Sequence, residues 1–125
     1  MKYLCLAYGD EQDWKKLTRG EQDKVLAQDQ VVRDRGNLVA AVGQEVVTVT
    51  SPAGEAEVNW QEFAELPIPL AGFSIIEAED IEEVISLVRG TPCPQAGGAI
   101  EIRPIITINE EVLAKPRQKS RGGVE

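Results

Sequence analysis

The 125-residue sequence contains no histidine, the side chain that most often transfers protons at neutral pH. A Ser-His or Cys-His pair therefore cannot supply a nucleophile, and no histidine can ligate a metal ion. The two cysteines, Cys5 and Cys93, are too few for a disulfide framework and fit a reducing compartment. No apolar run approaches the roughly 20 residues that span a bilayer, and no signal-peptide pattern opens the chain. We expect a cytoplasmic protein with no membrane partner, metal or cofactor.

Positive charge is also scarce, with 13 Lys and Arg against 21 Asp and Glu and a net charge of −8. This balance argues against binding to nucleic acid, because phosphates favour basic partners. Four basic residues nevertheless cluster near the C-terminal end: Lys115, Arg117, Lys119 and Arg121. We therefore predict one domain over residues 1–108 and a basic tail over residues 109–125. The tail is either a solvated segment or one that folds onto its own domain or a partner subunit.

Apolar runs separated by turn-forming residues predict a strand at each end of the chain and others between them. The predicted strands are Lys2–Tyr8, Leu38–Val42, Gly72–Ala78 and Ala99–Ile105. Two further strands, Val46–Thr50 and Glu55–Asn59, face each other across residues 51–54 as a β-hairpin. The stretch from Trp60 to Ala71 contains two prolines, which predicts a loop.

Two predicted helices begin with the spacing of a capping box, in which two side chains three residues apart bond to free backbone amides. The pairs are Thr18 with Glu21, and Asp80 with Glu83. The first helix should run from about Arg19 to Arg35 and end at Gly36. The second carries a single apolar stripe: Ile81, Val84, Ile85 and Val88.

This order of elements predicts an α+β domain of ferredoxin-like topology, the α/β plait. An antiparallel sheet would carry both helices on one face, with the β-hairpin as an insert. The other face of the sheet then needs cover. Ile75, Ile100 and Ile102 are candidates to meet a second subunit that packs sheet to sheet, as in a dimeric α+β barrel.

Several segments resemble a known family. MKYLCLAYGDEQDW at the start, a helix ending in RG and the strand NLVAAVG resemble the YCII-related family, in its DGPF-domain branch. Phe63-Ala64-Glu65 followed by Leu70-Ala71-Gly72-Phe73, and EIRPI at 101–105, fit the same pattern. The four-residue motif that names the branch falls on Trp60-Gln61-Glu62-Phe63, where only the phenylalanine is kept. The resemblance covers roughly residues 1–106.

The resemblance implies a ferredoxin-like fold, frequent dimers and, in some relatives, association with sigma factors, but no settled activity. Similar proteins have been proposed to act through a histidine and an aspartate in a pocket between sheet and helix. Asp34 falls near the aspartate position, whereas the histidine is missing from this chain.

Candidate site residues come from several segments. Tyr8, Asp10 and Trp14 follow the first strand, where pockets in such folds open, and Asp29 falls between two apolar positions of the first helix. A half-buried carboxylate there could act as a base; the alternative is that Asp29 meets water. Three more candidates are Trp60, Phe63 and Arg103. The aromatic pair could wall a ligand pocket or fill an interface, and Arg103 could bind a ligand or pair with a carboxylate. Cys93 lies in a loop without a residue that would activate its thiol.

Two functions remain open. The first is a homodimeric module that binds a small ligand or a protein without histidine-dependent catalysis. The alternative is a dimeric α+β barrel enzyme that acts on a small organic molecule, with carboxylates as acid-base groups. Its pocket would be lined by Tyr8, Asp10, Asp29, Trp60 and Phe63, and its weak catalytic candidates are Asp29, Asp10 and Tyr8.

Overall fold

The computed structural model describes residues 1–109, and almost all of the predicted basic tail lies outside them. Six strands follow in chain order: β1 Lys2–Tyr8, β2 Leu38–Ala41, β3 Thr48–Thr50, β4 Glu57–Asn59, β5 Leu70–Glu77 and β6 Ala99–Pro104. Four helices come in two consecutive pairs, the first between β1 and β2 and the second between β5 and β6: α1 Glu11–Lys15, α2 Arg19–Asp34, α3 Ile81–Val88 and α4 Pro92–Gln95. Within this part of the chain no helix is long and apolar enough to cross a membrane.

Four strands form one sheet in the order β2-β5-β1-β6, and every neighbouring pair is antiparallel. The central strand β1 places Cys5 opposite Ser74 on one side and opposite Ile102 on the other. With α2 and α3 packed on one face, this is the predicted ferredoxin-like fold. The insert forms a separate two-stranded sheet from β3 and β4.

The core lies between the sheet and the two long helices. Its buried residues are Tyr3, Cys5, Val32, Ile76, Ala78, Val84, Leu87 and Val88. Ile76 from the sheet and Val84 from α3 are fully buried, and burial of such a side chain contributes about 1.5–3 kcal/mol. Because successive side chains of a strand point to opposite faces, this core takes every second residue of β1 and β5.

The opposite face of the sheet also carries apolar side chains, and none of them belongs to this core. We call it the open face; its apolar residues are Leu4, Leu6, Leu38, Phe73 and Ile75. Leu4 pairs with Ile75 and Leu6 with Phe73, and all four side chains are only partly buried. The expectation that Ile100 and Ile102 would share this face was wrong. They pair with Ala7 and Cys5, so the alternation of β6 turns them toward the helices, where they pack against the core.

The capping box of α2 is confirmed: the Thr18 hydroxyl accepts from Glu21 N at 3.1 Å, and Glu21 accepts from Thr18 N at 2.8 Å. Gly36 follows the helix with a φ of 88°, a conformation that glycine adopts without steric cost. The second box is incomplete. Asp80 accepts from Glu83 N, but the Glu83 carboxylate accepts from Glu79 N instead of Asp80 N.

The apolar stripe of α3 also differs from its prediction. Val84, Leu87 and Val88 are buried, whereas Ile81 and Ile85 are 38% and 40% exposed. At about 100° per residue, the buried arc runs from Leu87 through Val84 to Val88, and the two isoleucines lie beyond its Val88 side.

Several strand boundaries differ from the prediction, and two short helices were not predicted. The strands of the hairpin are shorter than predicted, because Thr50 already pairs with Glu57, which makes residues 51–56 the connection. Strand β5 begins at Leu70, within the segment predicted as loop. The short helices α1 and α4 were missed; Asp10 caps α1 by accepting from Gln12 N at 2.9 Å, and α4 begins at Pro92.

Candidate functional site

A cleft of about 320 Å³ lies between the helix-bearing face of the sheet and helices α2 and α4. We call it the main cleft. Its walls are mostly apolar, with Leu26 and Val32 from α2, Val39 from β2 and Ile100 from β6. Such a concave apolar surface with few polar groups is typical of small-molecule sites.

The polar groups of the main cleft come chiefly from one turn of α2. Asp29 and Arg33 are four residues apart, which places them next to each other on the helix surface. The Nε–H of Arg33 donates to Asp29 Oδ2 at 2.7 Å. The Asp29 side chain keeps 26% of its exposure, so it meets both the apolar wall and the solvent.

Cys93 reaches the same cleft from α4. Burial raises the pKa of its thiol, and the negative charge of Asp29 raises it further. A thiol with a raised pKa carries little thiolate at neutral pH and is a weak nucleophile. Cys93 therefore contributes a neutral, polarisable surface to the cleft.

A smaller cavity of about 220 Å³ lies beside the main cleft; we call it the side cavity. Its own residues are Gly9, Asp10, Glu11, Trp14 and Ala96. It shares three further residues with the main cleft: Ala71, Pro92 and Cys93. The two spaces therefore adjoin each other at the start of β5 and the start of α4.

Two glycines set the shape of this region. A Cβ on Gly72 would collide with the backbone oxygen of Ala40, so glycine lets β2 approach β5 closely at the edge of the main cleft. A Cβ on Gly9 would lie 2.8 Å from Cys93 Sγ, and its absence leaves room for the thiol.

Among residues 1–109, no three side chains of His, Cys, Asp or Glu converge in a way that could hold a metal ion. The acidic residues near the start of α3 have local partners instead. Glu83 accepts from Glu79 N and from Arg35, and both bonds hold the pKa of its carboxyl below the usual range.

Comparison with known families gives one match that spans the described part of the chain. The model of the YCII-related domain matches residues 1–109. The protein belongs to the YCII-related family. The match is to the family as a whole, and membership of the DGPF branch stays a prediction.

No protein of curated function matches this YCII-related protein. A search of solved structures finds similarity to 5-chloro-2-hydroxyhydroquinone dehydrochlorinase from Burkholderia phenoliruptrix, solved with 2,5-dihydroxybenzoquinone. The identity is 19% and the TM-score 0.45, over 88% of this chain and 98% of that one.

The candidate site residues predicted from sequence lie in three regions of the YCII-related domain: the two adjoining cavities, the open-face side of the sheet, and the insert with the loop after it. Asp29 lines the main cleft and Asp10 the side cavity. Tyr8 and Arg103 project from the open-face side of the sheet, where the Tyr8 hydroxyl bonds to Glu101 at 3.0 Å and Arg103 lies 3.6 Å from the same carboxylate. The third place is the insert and the loop after it, which carry Trp60 and Phe63 at 66% and 84% exposure. Asp34 is exposed on α2 and accepts from Gln30.

Sequence reasoning did not assign Arg33, Cys93 or Ala96 to a site. Arg33 had a readable signal, because its spacing of four from Asp29 predicts an ion pair on a helix. Cys93 and Ala96 had none, since their approach to the cleft depends on α4, a four-residue helix that was read as a loop.

Proposed function

We propose that this YCII-related protein is a homodimeric module that binds a small, mainly apolar organic molecule in the main cleft, without histidine-dependent catalysis. The observation that carries the proposal is the main cleft itself. It offers apolar walls from α2, β2 and β6, with one ion pair, Asp29–Arg33, among its polar groups.

The chemistry of the lining defines the ligand. Apolar walls favour a ligand with apolar surface. Each Å² of that surface that the walls remove from water stabilises the complex by about 25 cal/mol. The bond between Asp29 and Arg33 uses one of the five N–H donors of a guanidinium, so the pair presents both an acceptor and donors to a ligand. A hydroxyl or carbonyl group on the ligand would therefore find a partner at this end of the cleft.

Two surfaces support a second copy of the chain as partner. The open face carries a central group of large apolar side chains, Leu4, Leu6, Phe73 and Ile75, which lie outside the core and are only partly buried. The insert and the loop after it add exposed apolar side chains: Val46, Val47, Val49, Val58, Trp60, Phe63 and Leu66. Apolar patches of this kind mark interaction surfaces. Pairing of two open faces would bury Leu4, Leu6, Phe73 and Ile75 from each copy.

One observation favours the enzyme as a second candidate. Asp29 is a carboxylate that borders an apolar cleft, and a carboxylate so placed could accept a proton from a bound molecule. The other carboxylate candidate, Asp10, lies in the adjoining side cavity. Tyr8 projects from the open-face side of the sheet, so this candidate mechanism would rest on the two aspartates.

The test is native mass spectrometry of the full chain purified gently from its natural host. We expect a dimer with a discrete additional mass, and that mass would give the chemical class of the ligand. Leu26→Trp, which fills the main cleft from α2, should abolish the additional mass. Val31→Trp is the matched control, because Val31 is an exposed residue of α2 outside the cleft lining. An unchanged mass in Leu26→Trp would contradict the assignment to this cleft, and a monomer would contradict the dimer.

If a bound mass identifies a substrate, Asp29→Asn separates the two functions. Loss of turnover with retained binding would establish the enzyme, whereas binding without turnover in the unaltered protein supports the module.

A further inference from the structure

We infer that the main cleft and the side cavity form one continuous site, and that this site takes an elongated, mainly apolar molecule. The end of that molecule in the side cavity, called the inner end below, is uncharged and reaches Trp14. The inference rests on the proposed function and narrows the class of ligand.

Continuity follows from the shared wall. Ala71, Pro92 and Cys93 line both spaces, so the two adjoin along these three residues, and a molecule that follows this wall would extend from one space into the other. None of these three side chains is bulky or charged: Ala71 offers a methyl group, Pro92 a ring and Cys93 a thiol. A ligand crossing this junction therefore needs an apolar middle section.

Volume argues for occupancy of both spaces. Ligand sites usually measure about 300–1,000 Å³. The main cleft alone, at about 320 Å³, falls at the lower end of that range, and the side cavity alone, at about 220 Å³, falls below it. Joined end to end, they suit a molecule that is long compared with its width.

Charge decides the chemistry of the inner end. The ionisable side chains unique to the side cavity are Asp10 and Glu11, both acidic, and Arg33, the cation of the main-cleft lining, does not line it. An anionic end would meet repulsion there. The carboxylates already have partners, because Asp10 accepts from Gln12 N and Glu11 lies 3.9 Å from Lys15 Nζ. An uncharged end beside the half-buried indole of Trp14 fits this lining best.

A series of straight-chain primary alcohols from butanol to decanol tests the inference. The chain has two tryptophans, so Trp60→Phe on the exposed insert leaves Trp14 as the single reporter of the side cavity. Calorimetric titration of this variant should show Kd falling about fourfold for each added CH₂ group, the factor that corresponds to about 0.8 kcal/mol. Trp14 fluorescence should stay constant for the short alcohols and change for the long ones.

A substitution that fills the side cavity should end the fall of Kd at a shorter alcohol. In an Ala96→Leu background, Kd should stop falling at the chain length where Trp14 first responds in the parent. Ala53→Leu, on the exposed connection of the hairpin, is the matched control and should behave as the parent does. At neutral pH, 1,10-decanediol should bind at least tenfold more tightly than decanedioate, because the dioate must place a carboxylate at the inner end.

The outcomes separate the two proposals. One outcome is that short alcohols bind, but longer ones have no lower Kd and do not change the fluorescence of Trp14. That outcome would overturn the continuous site and leave the main cleft as the binding site. Equal binding of the diol and the dioate would overturn the uncharged inner end. If none of the alcohols binds, the proposed ligand-binding function itself fails.

Discussion

Asp29 on α2 and Cys93 on α4 line the same cleft, and burial of the Cys93 thiol, followed by the charge of Asp29, raises the pKa of that thiol. The two residues are far apart in sequence, so their electrostatic interaction is a direct signature of the packing of α4 beside α2. Because of this interaction, the reactivity of the Cys93 thiol can be used to probe the cleft even when no ligand is known.

Asp29→Asn should speed alkylation of Cys93 by iodoacetamide at neutral pH. Removal of the negative charge lowers the pKa of the thiol and raises the fraction of thiolate, which is the reacting form. Peptide mapping by mass spectrometry distinguishes Cys93 from the buried Cys5. Asp34→Asn, at an exposed position of the same helix, is the control and should leave the rate unchanged. Equal rates in both variants would show that the Asp29 charge does not reach the thiol.

Glu77 should make stability depend on acid pH. Hydrogen bonds from Lys2 Nζ at 2.6 Å and from the Met1 ammonium at 2.8 Å lower the pKa of its carboxyl from 4.5 to about 2. Because the folded pKa is depressed, the stabilisation is complete above pH 4.5 and is lost as the pH falls through about 2. Glu77→Gln should flatten the decline of urea stability across this window.

The Glu77 experiment requires a chain whose first residue is Met1, since its amino group donates one of the bonds. Glu62→Gln, on the exposed segment after β4, is the matched control and should keep the decline of the unaltered protein. A decline that persists in Glu77→Gln would place its origin in other carboxyls.

Ile75 and Ile76 are adjacent on β5 but point to opposite faces, which makes them a matched pair. Ile76→Ala should lower the free energy of unfolding by about 2–5 kcal/mol, because Ile76 is fully buried in the core. Ile75→Ala should act mainly on dimerisation, since Ile75 lies on the open face. Urea unfolding and sedimentation velocity over a concentration series measure the two effects. A mass for the Ile75 variant that equals that of the unaltered protein at every concentration would remove the open face from the proposed interface.

Thr18→Ala should destabilise the protein by about 1 kcal/mol, because it leaves Glu21 N without the hydroxyl that caps α2. Thr18→Ser keeps the hydroxyl and should restore most of that loss. Urea unfolding measures both, and equal destabilisation by the two substitutions would show that the methyl group of Thr18, not its hydroxyl, matters.

The fold was readable from sequence wherever the signal is local. The cap at Thr18, the glycine at position 36 and the strand Lys2–Tyr8 each depend on neighbouring residues, and the structure confirms all three. On that strand Tyr8 has the same parity as Leu4 and Leu6, which places it on the open-face side of the sheet. Choosing Tyr8 as a pocket residue relied on its position at the end of a strand instead.

The site was harder to predict because its walls come from segments that are distant in sequence. Asp29 lines the main cleft because α2 lies across the sheet, and Cys93 meets it only through the short helix α4. Trp60 and Phe63 were chosen as aromatics, but their place is set by the insert, whose position no local pattern encodes. Ile100 and Ile102 were assigned to the wrong face because the pairing of β6 with β1 fixes their direction.

The position of the insert has a consequence for how this domain can change. Strands β2 and β5 are direct neighbours, and a bond from Val42 N to Ala71 O, 2.9 Å long, closes the base of the segment that joins them. The ends of that segment are therefore held together by the sheet itself, and the cost of closing a loop grows only slowly with its length. We therefore expect that residues 43–69 can be lengthened, shortened or exchanged while the four-stranded sheet keeps its register. The insert is then the segment in which relatives can differ most easily, and the one in which a new binding surface can be designed.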